Sequence, residues 1–119
     1  MPSIVIRLDP TQLADPDLDM RYEIPDLLAQ RSGGLIADDG YEYETYDLDS
    51  PNALLIFLKT PNIESALPHV LSLIEKDRLC GNDLAPASIV GVSEQNAPEA
   101  TEYRVVFPAG ASPVLKVRS

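Results

Sequence analysis

The amino-acid sequence predicts an α+β domain in which two helices cover one face of an antiparallel sheet. The first observation is the spacing of the apolar residues, which switches along the chain between a period of two and helical spacings of three and four. The second is the order of the resulting elements: strand, helix, strand, strand, helix, strand, with one extra C-terminal strand. That order is the split βαβ pattern of a ferredoxin-like βαββαβ sandwich. The chain has 119 residues, a length that fits one domain over residues 1–119.

The first half of the chain contains a strand, a helix and a polar strand. Ile4–Leu8 is rich in β-branched residues and predicts the first strand. A helix is predicted over Glu23–Ser32, with Pro25 in its first turn, where proline costs little, and two glycines directly after it as the stop signal. Leu35–Tyr46 alternates with a period of two and carries acids on one side, which is typical of an edge strand.

The second helix has the clearest periodicity in the sequence. Its apolar positions predict a helix over Ile63–Leu79, with Thr60 or Asn62 as the N-terminal cap. Pro68 would remove one backbone hydrogen bond inside this helix, so it costs little only if the regular helix begins near Ser65.

Three further runs predict strands. Ala53–Lys59 contains the longest uninterrupted apolar run, and we expect it to form the core together with the second helix. Ser88–Ser93 and Glu102–Phe107 predict two more strands. Residues 113–119 form either a short last strand or a frayed tail, and the sequence leaves both open.

The charge of the chain is strongly negative and unevenly placed. The net charge is −10, and residues 1–60 carry twelve acids and four bases, a local charge of −8. Such a field repels nucleic-acid phosphates and anionic lipids, so neither is an expected partner. A basic protein is the partner that the charge favours, although many acidic proteins carry such charge for solubility alone.

The sequence predicts a cytoplasmic protein. The N-terminal residues lack a basic region, and their apolar run is too short for a signal peptide. No segment approaches the 18 apolar residues of a membrane span. Cys80 is the sole cysteine, which rules out an internal disulfide and predicts a packing residue.

The sequence offers little material for catalysis. His69 is the sole histidine, and it flanks the apolar face of the second helix. A dyad with Cys80 fails because the two positions are separated by about 16 Å of helical rise. We therefore predict no catalytic residue, no cofactor and no enzymatic activity.

Residues 15–26 partly match a calcium-binding loop. Asp15, Asp17, Asp19 and Asp26 occupy the first, third, fifth and twelfth positions of such a loop. Position six, however, is Met20 rather than the glycine that the turn requires. We therefore expect a solvated acidic loop, no bound metal and no calcium-dependent stability.

The densest acidic stretch coincides with the predicted edge strand. Acids and tyrosines alternate there, an arrangement in which aromatic side chains anchor a partner and charges steer it. The alternative interpretation is an ordinary solvated edge strand, whose charges only discourage strand addition. The predicted partner-binding residues are Tyr41, Glu42, Tyr43, Glu44, Asp47 and Asp49.

Four stretches of the chain resemble a group of small bacterial ferredoxin-like proteins: Ile24–Leu28, Gly34–Gly40, Pro61–Leu73 and Tyr103–Pro108. The last resembles the Tyr-x-Val-x-aromatic-Pro signature with which these domains end. Some compact acidic members look like immunity proteins that neutralise toxins. The resemblance implies a fold and an interaction role, and it implies no catalytic residue.

Together these observations predict a small, acidic, non-enzymatic interaction module, with immunity-type binding of a basic partner as its specific form. The alternative is a small-molecule-binding or regulatory ferredoxin-like domain that acts as a dimer. A deep apolar pocket with convergent polar groups would favour the alternative, whereas a flat acidic surface would favour the interaction module. The sequence leaves the oligomeric state open between monomer and homodimer.

Overall fold

The computed structural model describes residues 2–9, 20–44, 53–76, 78–79, 82–95, 102–107 and 114–116. The helices are α1 (Met20–Arg31) and α2 (Ile63–Lys76). The strands are β1 (Ser3–Leu8), β2 (Ala37–Glu44), β3 (Ala53–Lys59), β4 (Arg78–Leu79), β5 (Asn82–Asp83), β6 (Ser88–Ser93), β7 (Glu102–Phe107) and β8 (Val114–Lys116).

Six of the described strands form one sheet in the order β2-β3-β1-β6-β7-β8, and every neighbouring pair is antiparallel. The predicted α+β class and antiparallel sheet are therefore confirmed. β8 pairs with β7, so Val114–Lys116 forms the short last strand that the sequence had left open. β4 and β5 form a separate two-stranded ladder.

Both helices pack on the same face of the sheet, as predicted. Ile56 and Leu58 of β3 lie in one cluster with Leu28 of α1 and with Val70 and Leu73 of α2, and all five are fully buried. Alternate residues of β1 and β6 complete the cluster, because side chains in a strand alternate between faces. The predicted joint core of the third strand and the second helix is confirmed.

The opposite face of the sheet has a smaller buried cluster of its own. Val5, Leu55, Phe57 and Tyr103 are each at most 2% exposed. The rings of Phe57 and Tyr103 are tilted against each other with their centroids 6.5 Å apart. The residues of these central strands are therefore buried on both faces of the sheet. This explains why β1 and β3 contain the uninterrupted apolar runs Ile4–Ile6 and Ala53–Leu58.

Tyr103 crosses over β6 to reach β1. Its hydroxyl oxygen lies within hydrogen-bond distance of Ser3 Oγ, at 3.1 Å, and the Ser3 hydroxyl donates its hydrogen to the Gln95 carbonyl at 2.7 Å. The crossing is possible because residue 91 is glycine: a Cβ there would lie 2.6 Å from the Tyr103 Cβ. Gly91 therefore makes room for the tyrosine.

α1 begins three residues earlier than predicted, at Met20. Pro25 is therefore the sixth residue of the helix, and the expectation that it lies in the first turn is wrong. The added residues are held by a tertiary contact, since the Tyr22 ring packs against Tyr41 of β2. Packing of this kind commonly decides where a helix starts.

The glycine stop of α1 is confirmed. Gly34 N–H donates to the Ala29 carbonyl at 2.9 Å, and Gly33 N–H donates to the Gln30 carbonyl at 3.2 Å. These two bonds, with Gly33 at a φ of 65°, form a Schellman motif.

α2 starts at Ile63, so Pro68 is its sixth residue and not part of a first turn beginning near Ser65. The helix ends at Lys76 rather than Leu79, because Arg78–Leu79 pairs with Asn82–Asp83. The predicted end was therefore three residues too late.

The cap of α2 is Asn62. Its Oδ1 accepts a hydrogen bond from Ser65 N–H at 3.1 Å, which satisfies one of the backbone N–H groups that have no partner within the first turn.

We expect Asn62→Ala to lower the free energy of unfolding by about 1 kcal/mol, the usual effect of losing such a cap. Urea denaturation measures the change. Asn62→Ser retains an acceptor oxygen and is the control, and equal losses in both variants would contradict the assignment.

Candidate functional site

The edge strand β2 is interrupted by a β-bulge. Asp38 pairs with Leu58 and Tyr41 with Ile56, so Asp39 and Gly40 together oppose Phe57. Gly40 has a φ of 97°, a conformation that glycine adopts readily, and its N–H donates to Asp38 Oδ1 at 2.9 Å. The strand thus gains one residue relative to its neighbour.

The bulge decides which side chains of β2 face which side of the sheet. Tyr41 pairs with Ile56, which belongs to the helix-covered cluster, whereas Glu42 pairs with Leu55, which belongs to the opposite cluster. Because one inserted residue reverses the alternation, the face of Tyr41 depends on the bulge. The predicted separation of Tyr41 from Glu42 is confirmed, and both side chains are exposed.

An aromatic corner joins β2 to the start of α1. The rings of Tyr22 and Tyr41 meet at 88° with centroids 6.0 Å apart, and they are 48% and 39% exposed. The Arg21 guanidinium carbon lies 4.6 Å from the Tyr22 centroid and 5.2 Å from the Tyr41 centroid, a cation–π arrangement. We call Arg21, Tyr22 and Tyr41 the tyrosine corner.

The sequence analysis missed two members of the tyrosine corner. Residues 11–22 contain Pro16 and three aspartates, a composition that indicates an irregular connection and would include Arg21 and Tyr22 in it. The signal that could have found them is the lack of any helix-breaking residue between Met20 and Ile24. A longer first helix would have placed an aromatic residue beside the edge strand.

The six predicted partner-binding residues fall into three groups. Tyr41 and Glu42 are exposed on opposite faces of β2. Tyr43 and Glu44 continue the same strand, paired with Leu54 and Ala53. The other two acids, Asp47 and Asp49, lie outside the described residues. The structure therefore places four of the six on one edge strand.

The remaining chemical groups form no second site in the described part of the chain. His69 is half-buried on α2, while Cys80 and the aspartates of the calcium-like loop, Asp15, Asp17 and Asp19, lie outside the described residues. Within the described residues, no three His, Cys, Asp or Glu side chains are grouped so that they could hold a metal. The absence of calcium-dependent stability therefore stays a prediction.

In the described part of the chain, neither helix is long and apolar enough to cross a membrane.

Comparison with known proteins gives no match: no protein-family model fits the chain, and no curated protein or solved structure is significantly similar to it. The function must therefore be argued from the geometry of this chain.

Proposed function

We propose that the protein is a small, acidic, non-enzymatic interaction module that binds a basic protein along the edge strand β2. One observation carries the proposal: an exposed tyrosine and an exposed carboxylate, Tyr41 and Glu42, are consecutive residues of β2, one of the two edge strands of the described sheet. Because they lie on opposite faces, a partner that contacts both must approach along the edge.

The composition of this edge supports protein binding. Tyrosine and arginine are enriched among the side chains that dominate binding energy, and the tyrosine corner supplies both. Asp38 and Glu42 are exposed on the same strand, and the local charge of residues 1–60 is −8. This arrangement attracts a cationic partner and accelerates its encounter.

We further propose that β1, α1, β2, β3, α2 and β6 form a ferredoxin-like βαββαβ unit to which β7 and β8 are added. The antiparallel pairing of β1 with both β3 and β6 supports this topology. The specific form of the function that we propose is immunity-type neutralisation of a basic toxin in the cytoplasm.

The alternative function, a dimeric small-molecule-binding or regulatory domain, has less support. A ligand site between two stacked sheets needs an open sheet face. Val5, Leu55 and Phe57, on the face opposite the helices, are already buried within a single chain. The edge of the sheet is therefore the better candidate.

The test begins with the wild-type protein and Glu42→Lys as matched baits in the native cell extract. We expect the wild type to retain a basic protein. The association rate of that protein is expected to fall with rising salt, because the Debye length is only about 8 Å near physiological ionic strength.

Charge reversal at Glu42 and Glu44 is expected to slow association of the captured protein. Tyr41→Ala is expected to act mainly on dissociation, where most interface mutations act.

Glu64→Lys is the matched control, since it makes the same charge change at an exposed position of α2. A partner whose association slows equally in Glu64→Lys and Glu42→Lys would respond to net charge alone, and the proposed surface would be wrong. Salt-independent association would also contradict it.

A further inference from the structure

We infer that the partner supplies an extended basic segment, which adds to the sheet as a further strand beside β2. This inference rests on the proposed function and specifies the partner's chemistry and conformation. It assigns the partner an alternating pattern, with basic residues on one face of the added strand and apolar or aromatic residues on the other.

The position of β2 at an edge of the sheet supports strand addition. Among the described strands, β2 lies at one edge of the six-stranded sheet, with β8 at the other, and β3 is the strand that pairs with it. The backbone N–H and C=O groups of every second residue in such a strand point away from the sheet. An incoming strand can form hydrogen bonds with groups of this kind, which provides affinity. Specificity then comes from the contacts that every second side chain of the incoming strand makes on each face of the sheet.

The two faces of β2 select different side chains from the incoming strand. On the face opposite the helices, the exposed carboxylate of Glu42 favours a lysine or arginine beside it. On the helix-covered face, Tyr22 and Tyr41 present exposed ring surface next to the Arg21 guanidinium. A lysine or arginine of the incoming strand on this face would lie beside the positive charge of Arg21. An apolar or aromatic residue is therefore favoured at that position.

The bulge sets the length and register of the added strand. Asp39 and Gly40 interrupt the regular alternation, so the uninterrupted pairing stretch within the described residues is Tyr41–Glu44. A bulge and edge charges commonly protect a sheet from unwanted pairing.

The same charges reject a second copy of this chain. Two copies paired through β2 would bring Glu42 and Glu44 of each copy close to the acids of the other. Discrimination of this kind, by repulsion of the wrong partner, is how closely related interfaces achieve specificity. The occupant that fits is therefore a basic strand from another protein.

Synthetic peptides test the inference directly. The probe is acetyl-Thr-Lys-Val-Lys-Val-Lys-Thr-amide, and its control has the same composition without alternation, acetyl-Thr-Lys-Lys-Lys-Val-Val-Thr-amide. We expect the alternating peptide to bind at least about tenfold more tightly than the control, because only it satisfies both faces. An analogue N-methylated at alternate amides keeps the charge and loses one hydrogen-bonding edge, and it is expected to bind as weakly as the control.

Hydrogen exchange of the whole protein provides the second measurement. The backbone amides of Tyr41–Glu44 are expected to gain protection with the alternating peptide. Glu42→Lys should abolish this protection, whereas Glu64→Lys should retain it.

The outcomes separate the inference from the proposed function. Equal binding of all three peptides, or binding without protection of β2, would overturn strand addition and leave a charge-driven surface. Self-association of the protein through β2, or a natural partner that contacts β2 with a folded surface, would also overturn strand addition. Failure of every peptide, together with a natural partner that is insensitive to Glu42→Lys, would overturn both.

Discussion

Tyr103→Ala is expected to lower the free energy of unfolding by about 3–5 kcal/mol, the usual cost of truncating a large buried aromatic side chain. Tyr103 is 1% exposed, its ring packs against Phe57, and both lie in the smaller cluster with Val5 and Leu55, so its removal opens a cavity there. It also removes the hydroxyl beside the buried Ser3. Urea denaturation of the purified variant measures the effect.

Two further variants separate the contributions of the Tyr103 side chain. Tyr103→Phe keeps the ring and removes only the hydroxyl, so it is expected to cost about 1 kcal/mol. Gly91→Ala places a methyl group 2.6 Å from the Tyr103 Cβ and is expected to cost about 1–3 kcal/mol by overpacking. If Tyr103→Ala is no more destabilising than Tyr103→Phe, the ring does not hold the second face together.

Ile56→Ala is expected to cost about 2–5 kcal/mol. Ile56 lies at the centre of β3, is fully buried, and belongs to the cluster that both helices cover. The surrounding residues come from several elements, so they cannot collapse easily into the space that the substitution leaves. Thermal and urea unfolding of the variant provide the measurement.

Leu71→Ala is the control for Ile56→Ala. The sequence places Leu71 on the apolar face of α2, but the structure leaves it only partly buried, outside the group of buried α2 residues Ala66, Val70, Leu73 and Ile74. Its truncation is therefore expected to cost clearly less than that of Ile56. Equal losses for the two variants would mean that α2 is rotated relative to the sheet.

Elements with strong local patterns could be predicted from the sequence. Ser88–Ser93 and Glu102–Phe107 were predicted with the bounds that the structure has, because alternation and flanking polar residues define a strand locally. The start of α2 at Ile63 was also predicted correctly, because an asparagine cap and an apolar helix face are signals that extend over only a few residues.

Features that depend on tertiary contacts could not be predicted. The first turn of α1 is held by Tyr22 against Tyr41, a contact between two elements. The short ladder of Arg78–Leu79 with Asn82–Asp83 has too few residues to show a period. The same limit applies to the candidate site: the alternation of β2 predicted the separate faces of Tyr41 and Glu42, but not the tyrosine corner.

The position of β1 has a consequence for the synthesis of the chain. β1 is synthesised before β3 and β6 but lies between them, so Ser3 must find both Lys59 and Ser93. Such non-local pairings require long loops to close before they stabilise the fold, and they slow folding relative to helical proteins. The centre of the sheet therefore cannot close until most of the chain has left the ribosome. Until then the apolar strand Ser3–Leu8 stays available to chaperones and to other nascent chains.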